Sequence, residues 1–278
     1  MDSNFKEKSV IITGGSEGVG AAVARKFAEV GANLVLVARS RKNLEHIATE
    51  LRPRTRVETV TMDVTDADAC ANLFKKAEFE FGAVHVLVNN AGLHVRGLAE
   101  TISPVDLGMM VDVNLKAPII LSRLAMPYLR RSGEGAIVNV ASLAGRTAVP
   151  GAATYSATKF GLRAFTMALA EELKDSKIKV ASISPGPVDT GFIMSNIDIV
   201  TDLTFSQPIS TADQVAAEIV KLCVNTKLER SMPPLSGALT TLTYLFPGIA
   251  RALRPVLERK GRRVKRRLKS QMRVEEGK

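Results

Sequence analysis

The chain has 278 residues, 46% hydrophobic and 24% charged, a balance that excludes disorder as the dominant state and fits a globular protein. Its net charge of +10 is unevenly spread: from Arg251 onward there are twelve Lys or Arg against three Glu, so the rest of the chain is almost neutral. Two cysteines, Cys70 and Cys223, without CxxC spacing, give neither a disulfide framework nor a zinc ligand set; no metal site is expected, and a reducing, cytoplasmic compartment is. No apolar run before Ser9 is long enough for a signal peptide, and no stretch of about 18 apolar residues offers a spanning helix.

In chain order, short apolar runs alternate with amphipathic segments of helix length. SVIIT at 9–13 is followed by a glycine loop and GAAVARKFAEVG, LVLVAR at 34–39 by KNLEHIATELR, and RVETVTMDV at 56–64 by DADACANLFKKAEFEFG. VHVLVNNAG at 84–92 leads into a helical region ending in YLRR, GAIVNVAS at 135–142 into ATYSATKFGLRAFTMALAEELKD, and IKVASISPG at 178–186 into an aperiodic stretch. This alternation predicts an α/β fold, a parallel sheet with helices on both faces. Asp66 is placed to cap a helix, Thr211 with Gln214 reads as a capping box, and Gly31 and Gly82 stand where helices should stop. Residues 190–210 lack a period and read as a long loop with a short helix, either a substrate lid or an ordinary surface connection.

Two motifs carry chemistry of their own. TGGSEGVG, Thr13 to Gly20, joins the first strand to the first helix; Gly14, Gly18 and Gly20 let backbone N–H groups approach a pyrophosphate at the positive end of the helix. YSATK puts Tyr155 and Lys159 one turn apart on one helix face. A phenol, with an ordinary pKa of about 10, is a poor acid–base catalyst at neutral pH, and a neighbouring ammonium favours its phenolate. Ser142 ends GAIVNVAS, where its hydroxyl can meet the phenol.

Together with Asp63-Val64, NNAG at 89–92, Asn114 and PGPVDT at 185–190, these motifs stand in the order and spacing of a known family. Over residues 5–225 the chain resembles the short-chain dehydrogenases/reductases. The resemblance implies one Rossmann-type, doubly wound domain, residues 1–235, that binds a nicotinamide dinucleotide at the switch point of its sheet. It implies hydride transfer between the nicotinamide and a carbonyl or secondary alcohol. Tyr155 is similar to the family's general acid, Lys159 to the lysine that lowers the phenol's pKa and holds the nicotinamide ribose, Ser142 to the group that polarises the carbonyl, and Asn114 to the residue that holds a water in a relay to Lys159. Asp63 resembles the adenine contact with Val64 beside it, Asn90 the wall near the ribose, and Val188 and Thr190 the contacts to the nicotinamide amide. Thr13, Ser16, Val19, Ala91, Gly92, Pro185 and Gly186 fall along the coenzyme in the same motifs. Relatives form dimers or tetramers, so a homo-oligomer is expected.

In such folds a carboxylate after the second strand binds the 2′-OH of NAD, and a basic residue there accommodates the 2′-phosphate of NADP. Here Ala38 stands where the acid would be and Arg39 follows, so NADP(H) is favoured over NAD(H). Arg41 either helps or is solvated. Glu17, in the glycine loop, departs from the basic residue many NADP-using relatives carry, and His85 replaces an acid with an expected local effect only. His94 follows NNAG within reach of the substrate cavity and is weighed as a bystander.

The remainder, 236–278, lies beyond the resemblance. Apolar residues at 242, 246, 249, 253, 257, 264, 268 and 272 follow helical spacing, with Lys and Arg on the other faces. Pro247 suits a first turn, Pro255 should kink the helix and Gly261 should break it, giving one or two short amphipathic basic helices. Such helices fit an anionic membrane surface on the cytoplasmic face, packing on the protein's own body or another subunit, or an acidic partner. Nucleic acid is not expected, because the charge is confined to the terminus. The leading expectation is therefore an NADP(H)-dependent oxidoreductase of a lipophilic carbonyl compound: a keto lipid, a sphingoid-type ketone or a steroid. The alternatives are a 3-oxoacyl carrier-protein reductase and a non-catalytic dinucleotide-binding module tethered by its tail; the intact Ser142, Tyr155 and Lys159 set argues against the latter.

Overall fold

The computed structural model describes residues 5–276. The strands are β1 (Ser9–Thr13), β2 (Asn33–Ala38), β3 (Val57–Thr61), β4 (Val86–Asn89), β5 (Gly135–Val140), β6 (Ile178–Pro185), β7 (Val188–Asp189), β8 (Ser210–Thr211) and β9 (Glu229–Met232). The helices are α1 (Gly18–Glu29), α2 (Arg41–Leu51), α3 (Ala67–Phe81), α4 (Pro104–Val111), α5 (Ala117–Arg131), α6 (Ala153–Glu172), α7 (Gly191–Met194), α8 (Ala212–Leu222), α9 (Pro234–Leu245) and α10 (Pro247–Glu276). Seven strands form one parallel sheet in the order β3-β2-β1-β4-β5-β6-β9, and β7 and β8 pair separately.

The inner strands are covered on both faces, which is why they read as continuous apolar runs. Side chains alternate between the faces. Val10 and Ile12 pack with Leu34, Leu36 and Phe27 on the side of α1, α2 and α8. Ile11 packs with Val35, Val37, Phe74 and Leu121 on the side of α3, α5 and α6. The chain runs outward from β1 to β3, then returns to pair β4 on the other side of β1. That reversal opens a crevice beyond the carboxyl ends of β1 and β4, where α/β sheets bind ligands.

Helix-end signals act locally. Asp66 accepts from the Ala69 N–H at 3.0 Å, and the Thr211–Gln214 box closes with bonds of 3.2 and 3.0 Å. Gly82 ends α3 in the left-handed conformation at φ 78°. Both cysteines are buried, and burial pushes their thiols up, Cys70 to about 11 and Cys223 to about 12. His85 accepts from the Ser9 N–H at 3.1 Å and ties the start of β4 to β1.

Strand β9, ERSM, carries no apolar signal and was not anticipated. It pairs with β6 along Ser182–Pro185 and is anchored by charge as well: Glu229 accepts from Arg146 at 2.5 Å and from Arg163 at 2.6 Å. The tail also differs from its expectation. No break occurs at Gly261; α10 runs through both Pro255 and Gly261. Pro255 deprives the Arg251 carbonyl of its intrahelical donor, and that turn is exposed, so water can replace the bond. Gly261 is buried, and a Cβ there would overlap the Asp202 carbonyl oxygen. The glycine admits the helix against residues 198–206 rather than ending it. Val264, Leu268 and Met272 pack on Ile193, Ile197, Val200 and Phe205. Lys265 Nζ donates to the Val200 carbonyl at 2.6 Å, Arg262 pairs with Asp202 at 3.0 Å, and Lys269 pairs with Asp198.

Gly261→Ala should therefore destabilise the protein by about 1–3 kcal/mol through overpacking. Gly248→Ala, also in α10 but with nothing within 4 Å of the added methyl, should be neutral or stabilising by up to about 1 kcal/mol from helix propensity. Urea midpoints of the two variants check the contrast, and equal midpoints would contradict it.

Candidate active site

A cavity of about 1050 Å³ lies over the carboxyl ends of the central strands. Its nucleotide end is built from the turn after β1. Gly14 has φ 64°, and its missing side chain leaves room for Asn90 and Ala91. Gly20 lacks a Cβ because one would overlap the Gly14 carbonyl oxygen. Asn90 clasps this turn, donating from Nδ2 to the carbonyls of Thr13 at 2.9 Å and Gly14 at 3.2 Å. Thr13 Oγ1 accepts in return from the N–H groups of Asn90 and Ala91, both at 3.0 Å. Helix α1 follows with no side-chain cap and no acidic residue in its first turn. Its leading N–H groups and positive end thus face the cavity, which suits an anion.

Gly14, Ser16, Gly18 and Val19 line this end, as do Arg39, Asp63 and Val64. Asp63 Oδ1 is engaged by the Thr65 N–H at 2.9 Å and hydroxyl at 2.8 Å, bonds that hold the carboxyl below its ordinary range with help from the Arg39 charge. Arg39 is exposed at the end of β2; its charge is felt at Asp63, but it makes no ion pair within 4 Å among the described residues. Glu17 also borders the cavity, whereas Arg41 does not and lies exposed at the start of α2. Further in, Asn90, Ala91, Gly92, Pro185, Gly186, Val188 and Thr190 form the walls. Thr13, Gly20 and Asn114 do not reach the cavity; they fix the backbone around it.

Ser142, Tyr155 and Lys159 meet where β5 and α6 converge. Lys159 is only 4% exposed; its Nζ donates to the Val140 carbonyl at 2.8 Å and lies 5.7 Å from the Tyr155 ring centroid. Burial brings its ammonium down to about 8. Burial also pushes the Tyr155 phenol above its ordinary value; the Ser142 side chain and the Arg96 charge act against that rise. Lys159 faces the aromatic ring and donates to Val140, and the Arg96 charge, which the sequence reading did not single out, also favours the phenolate. Asn114 lies in a π-helical turn, residues 112–116, a feature common at functional sites. Its amide accepts from the Leu93 N–H and donates to the Leu93 carbonyl, both at 2.7 Å. Asn114 Oδ1 and Lys159 Nζ both border the open side of Gly92.

The far end of the cavity was the least legible part. His94 lies flat on Tyr155, ring centroids 4.0 Å apart and planes 8° from parallel. Burial takes its imidazole down to about 3, so the ring is neutral. Phe192 and Ile193 from α7, then Val200 and Leu203, close one side. Leu239 and Tyr244 of α9 and Ala250 and Leu257 of α10 close another. The lid-like segment and the terminal helix that packs on it are thus walls of one pocket.

The buried ammonium has a consequence for stability. The Lys159 pKa is lower in the folded protein than in the unfolded chain, so between about pH 8 and 10.5 the unfolded chain binds more protons and folding gains stability as pH rises. Wild type should gain on Lys159→Met across that window, read as the difference in Tm between pH 7 and 10. A difference that shrinks with pH in the opposite sense would refute the buried cation.

A family profile described as short chain dehydrogenase matches residues 8–198. An oxidoreductase of Staphylococcus saprophyticus, named as uncharacterized, is 33% identical over 234 residues, 83% of this chain and 95% of its own. A second such oxidoreductase, from Staphylococcus epidermidis, is 36% identical over 188 residues, 68% of this chain and 81% of its own. Sulfoacetaldehyde reductase 2 of Chromohalobacter salexigens is 36% identical over 187 residues, 66% of this chain and 74% of its own. With the parallel sheet, the glycine turn and the Ser–Tyr–Lys cluster in place, the chain belongs to the short-chain dehydrogenases, oxidoreductases that bind a nicotinamide dinucleotide.

Proposed function

We propose that the chain is an NADP(H)-dependent reductase of a lipophilic carbonyl compound that works at an anionic membrane surface. The observation that carries this reading is one cavity with an uncommitted guanidinium at its nucleotide end, a neutral phenol at its centre and an apolar far wall. The bound coenzyme supplies the hydride. Tyr155, protonated at neutral pH, gives its proton to the carbonyl oxygen as hydride reaches the carbon, and Ser142 donates a hydrogen bond to the same oxygen. Lys159 holds the ribose, and the Asn114 side of Gly92 provides the route by which the phenol recovers its proton. Arg39 binds the 2′-phosphate, for which a planar fork of donors is suited. The aldehyde named for the Chromohalobacter relative supports carbonyl reduction as the reaction class.

The membrane surface is supported by what α9, α10 and the residue between them leave uncovered. Leu245 is 63% exposed and Val256 67%, and Leu242, Phe246, Ile249 and Leu253 are also exposed. Arg251, Arg254 and Arg259 accompany them. No helix among the described residues is long and apolar enough to cross a membrane, so such a patch would lie on one. The same helices line the pocket, which puts a lipophilic substrate next to its point of entry.

NADPH and NADH oxidation should be followed with a panel of long-chain ketones. Tyr155→Phe should lose at least about 100-fold in kcat, and Arg39→Ser should raise the KM for NADPH about 30-fold with little change for NADH. Full turnover without the phenol would remove Tyr155 from its role. For the membrane, the full chain should float with vesicles containing phosphatidylserine at low salt, and Leu245→Glu with Phe246→Glu should abolish flotation while α10 stays packed on the lid. Flotation by the double variant would place the contact elsewhere.

A further inference from the structure

We propose that Arg96 is the recognition group for an acidic substituent of the substrate, a carboxylate or sulfonate a few bonds from the reacting carbonyl. The inference rests on the reductase reading above and narrows its substrate. Arg96 lies between β4 and α4, half-buried in the cavity wall beside His94 and Phe192. Its Cζ sits 5.4 Å from the Phe192 ring centroid. Two of its donors reach backbone carbonyls, that of Phe192 at 3.2 Å and that of His94 at 3.4 Å. A guanidinium has five N–H donors, so most of its capacity is left over.

The contrast with the chain's other sheltered arginines decides what that spare capacity means. Arg146 and Arg163 share the Glu229 carboxylate at 2.5 and 2.6 Å. Where this fold withdraws a guanidinium from water for structural reasons, it supplies an anion. Arg96 has no carboxylate partner among the described residues. A half-buried guanidinium with donors to spare is well suited to an anion, and here its open side is the substrate cavity. The His94 ring beside it adds a second vacancy of partners: its Nε2 is buried with no hydrogen-bond partner among the described residues. His94 is stacked on Tyr155 and lies two residues from Arg96, so an anion received there sits close to the proton donor. The arrangement therefore selects oxo acids or oxo sulfonates with an apolar remainder, and it disfavours amino ketones, whose ammonium would face Arg96.

The test compares kcat/KM for 3-oxooctanoate and its methyl ester, with NADPH, in wild type, Arg96→Gln and Arg96→Lys. Wild type should favour the acid. The acid-to-ester ratio should fall at least about 30-fold in Arg96→Gln, chiefly through KM, and recover in part in Arg96→Lys. Octane-1-sulfonate should inhibit wild type competitively with the ester, and the inhibition should weaken with salt, a readout independent of whether the variants fold. Wild type that prefers the ester, or a variant that slows acid and ester equally while its pH profile moves, overturns the inference and makes Arg96 a partner of Tyr155 alone. Reduction of neither compound, with no other carbonyl accepted, overturns the reductase reading itself.

Discussion

The close approach of α1 to the end of β1 is the constraint from which the site follows. A side chain on Gly20 would collide with the Gly14 carbonyl, and one on Gly14 would crowd Asn90. Only with both glycines can the helix begin directly beneath the switch point, with Asn90 and Thr13 exchanging hydrogen bonds around the turn. The same geometry leaves the helix start without a side-chain cap. Backbone donors that a protein would ordinarily satisfy itself are left for a phosphate.

The catalytic end is organised by burial and by how its cost is met. Asn89 donates to Asn139 at 2.8 Å, and Asn139 to Thr166 of α6 at 2.8 Å, so a buried amide chain fixes α6 against β4 and β5. Such buried amide links rigidify a core, although Asn89 Oδ1 itself is left without a partner among the described residues. They hold Tyr155 and Lys159 where desolvation keeps the phenol neutral and loosens the ammonium's proton. Arg96 shares the phenol's surroundings and lacks a carboxylate among the described residues, which turns an electrostatic cost into a means of selecting substrate.

The terminal helix changes what the family fold offers. The matching profile stops at residue 198, yet residues 239–257 contribute to the cavity and residues 264–272 pack on residues 193–205. The pocket wall is therefore shared between the matched residues, His94, Arg96 and Phe192 among them, and residues beyond them. The basic residues of the tail divide in two: Arg262, Lys265 and Lys269 bind residues 198–202, whereas Arg251 and Arg254 line the pocket.

The sequence by itself determined the parallel sheet, because strands buried on both faces must be apolar throughout, and it determined the glycine turn and the Tyr155–Lys159 pair, because both depend on neighbours in the chain. Asp66, Gly82 and the Thr211–Gln214 box were legible for the same local reason. Strand β9 was not, since ERSM has little apolar character and its pairing with β6 is supported by Glu229 meeting Arg146 and Arg163 from distant segments. Gly261 was misread as a helix breaker because its purpose is a contact with Asp202, far away in the chain. His94 looked incidental until folding laid it on Tyr155, and Arg96 gave no signal at all, because an arginine is marked out only by the carboxylate it lacks once everything around it is in place. Local geometry is written in neighbouring residues; burial, and the partners it demands, exist only in the folded chain.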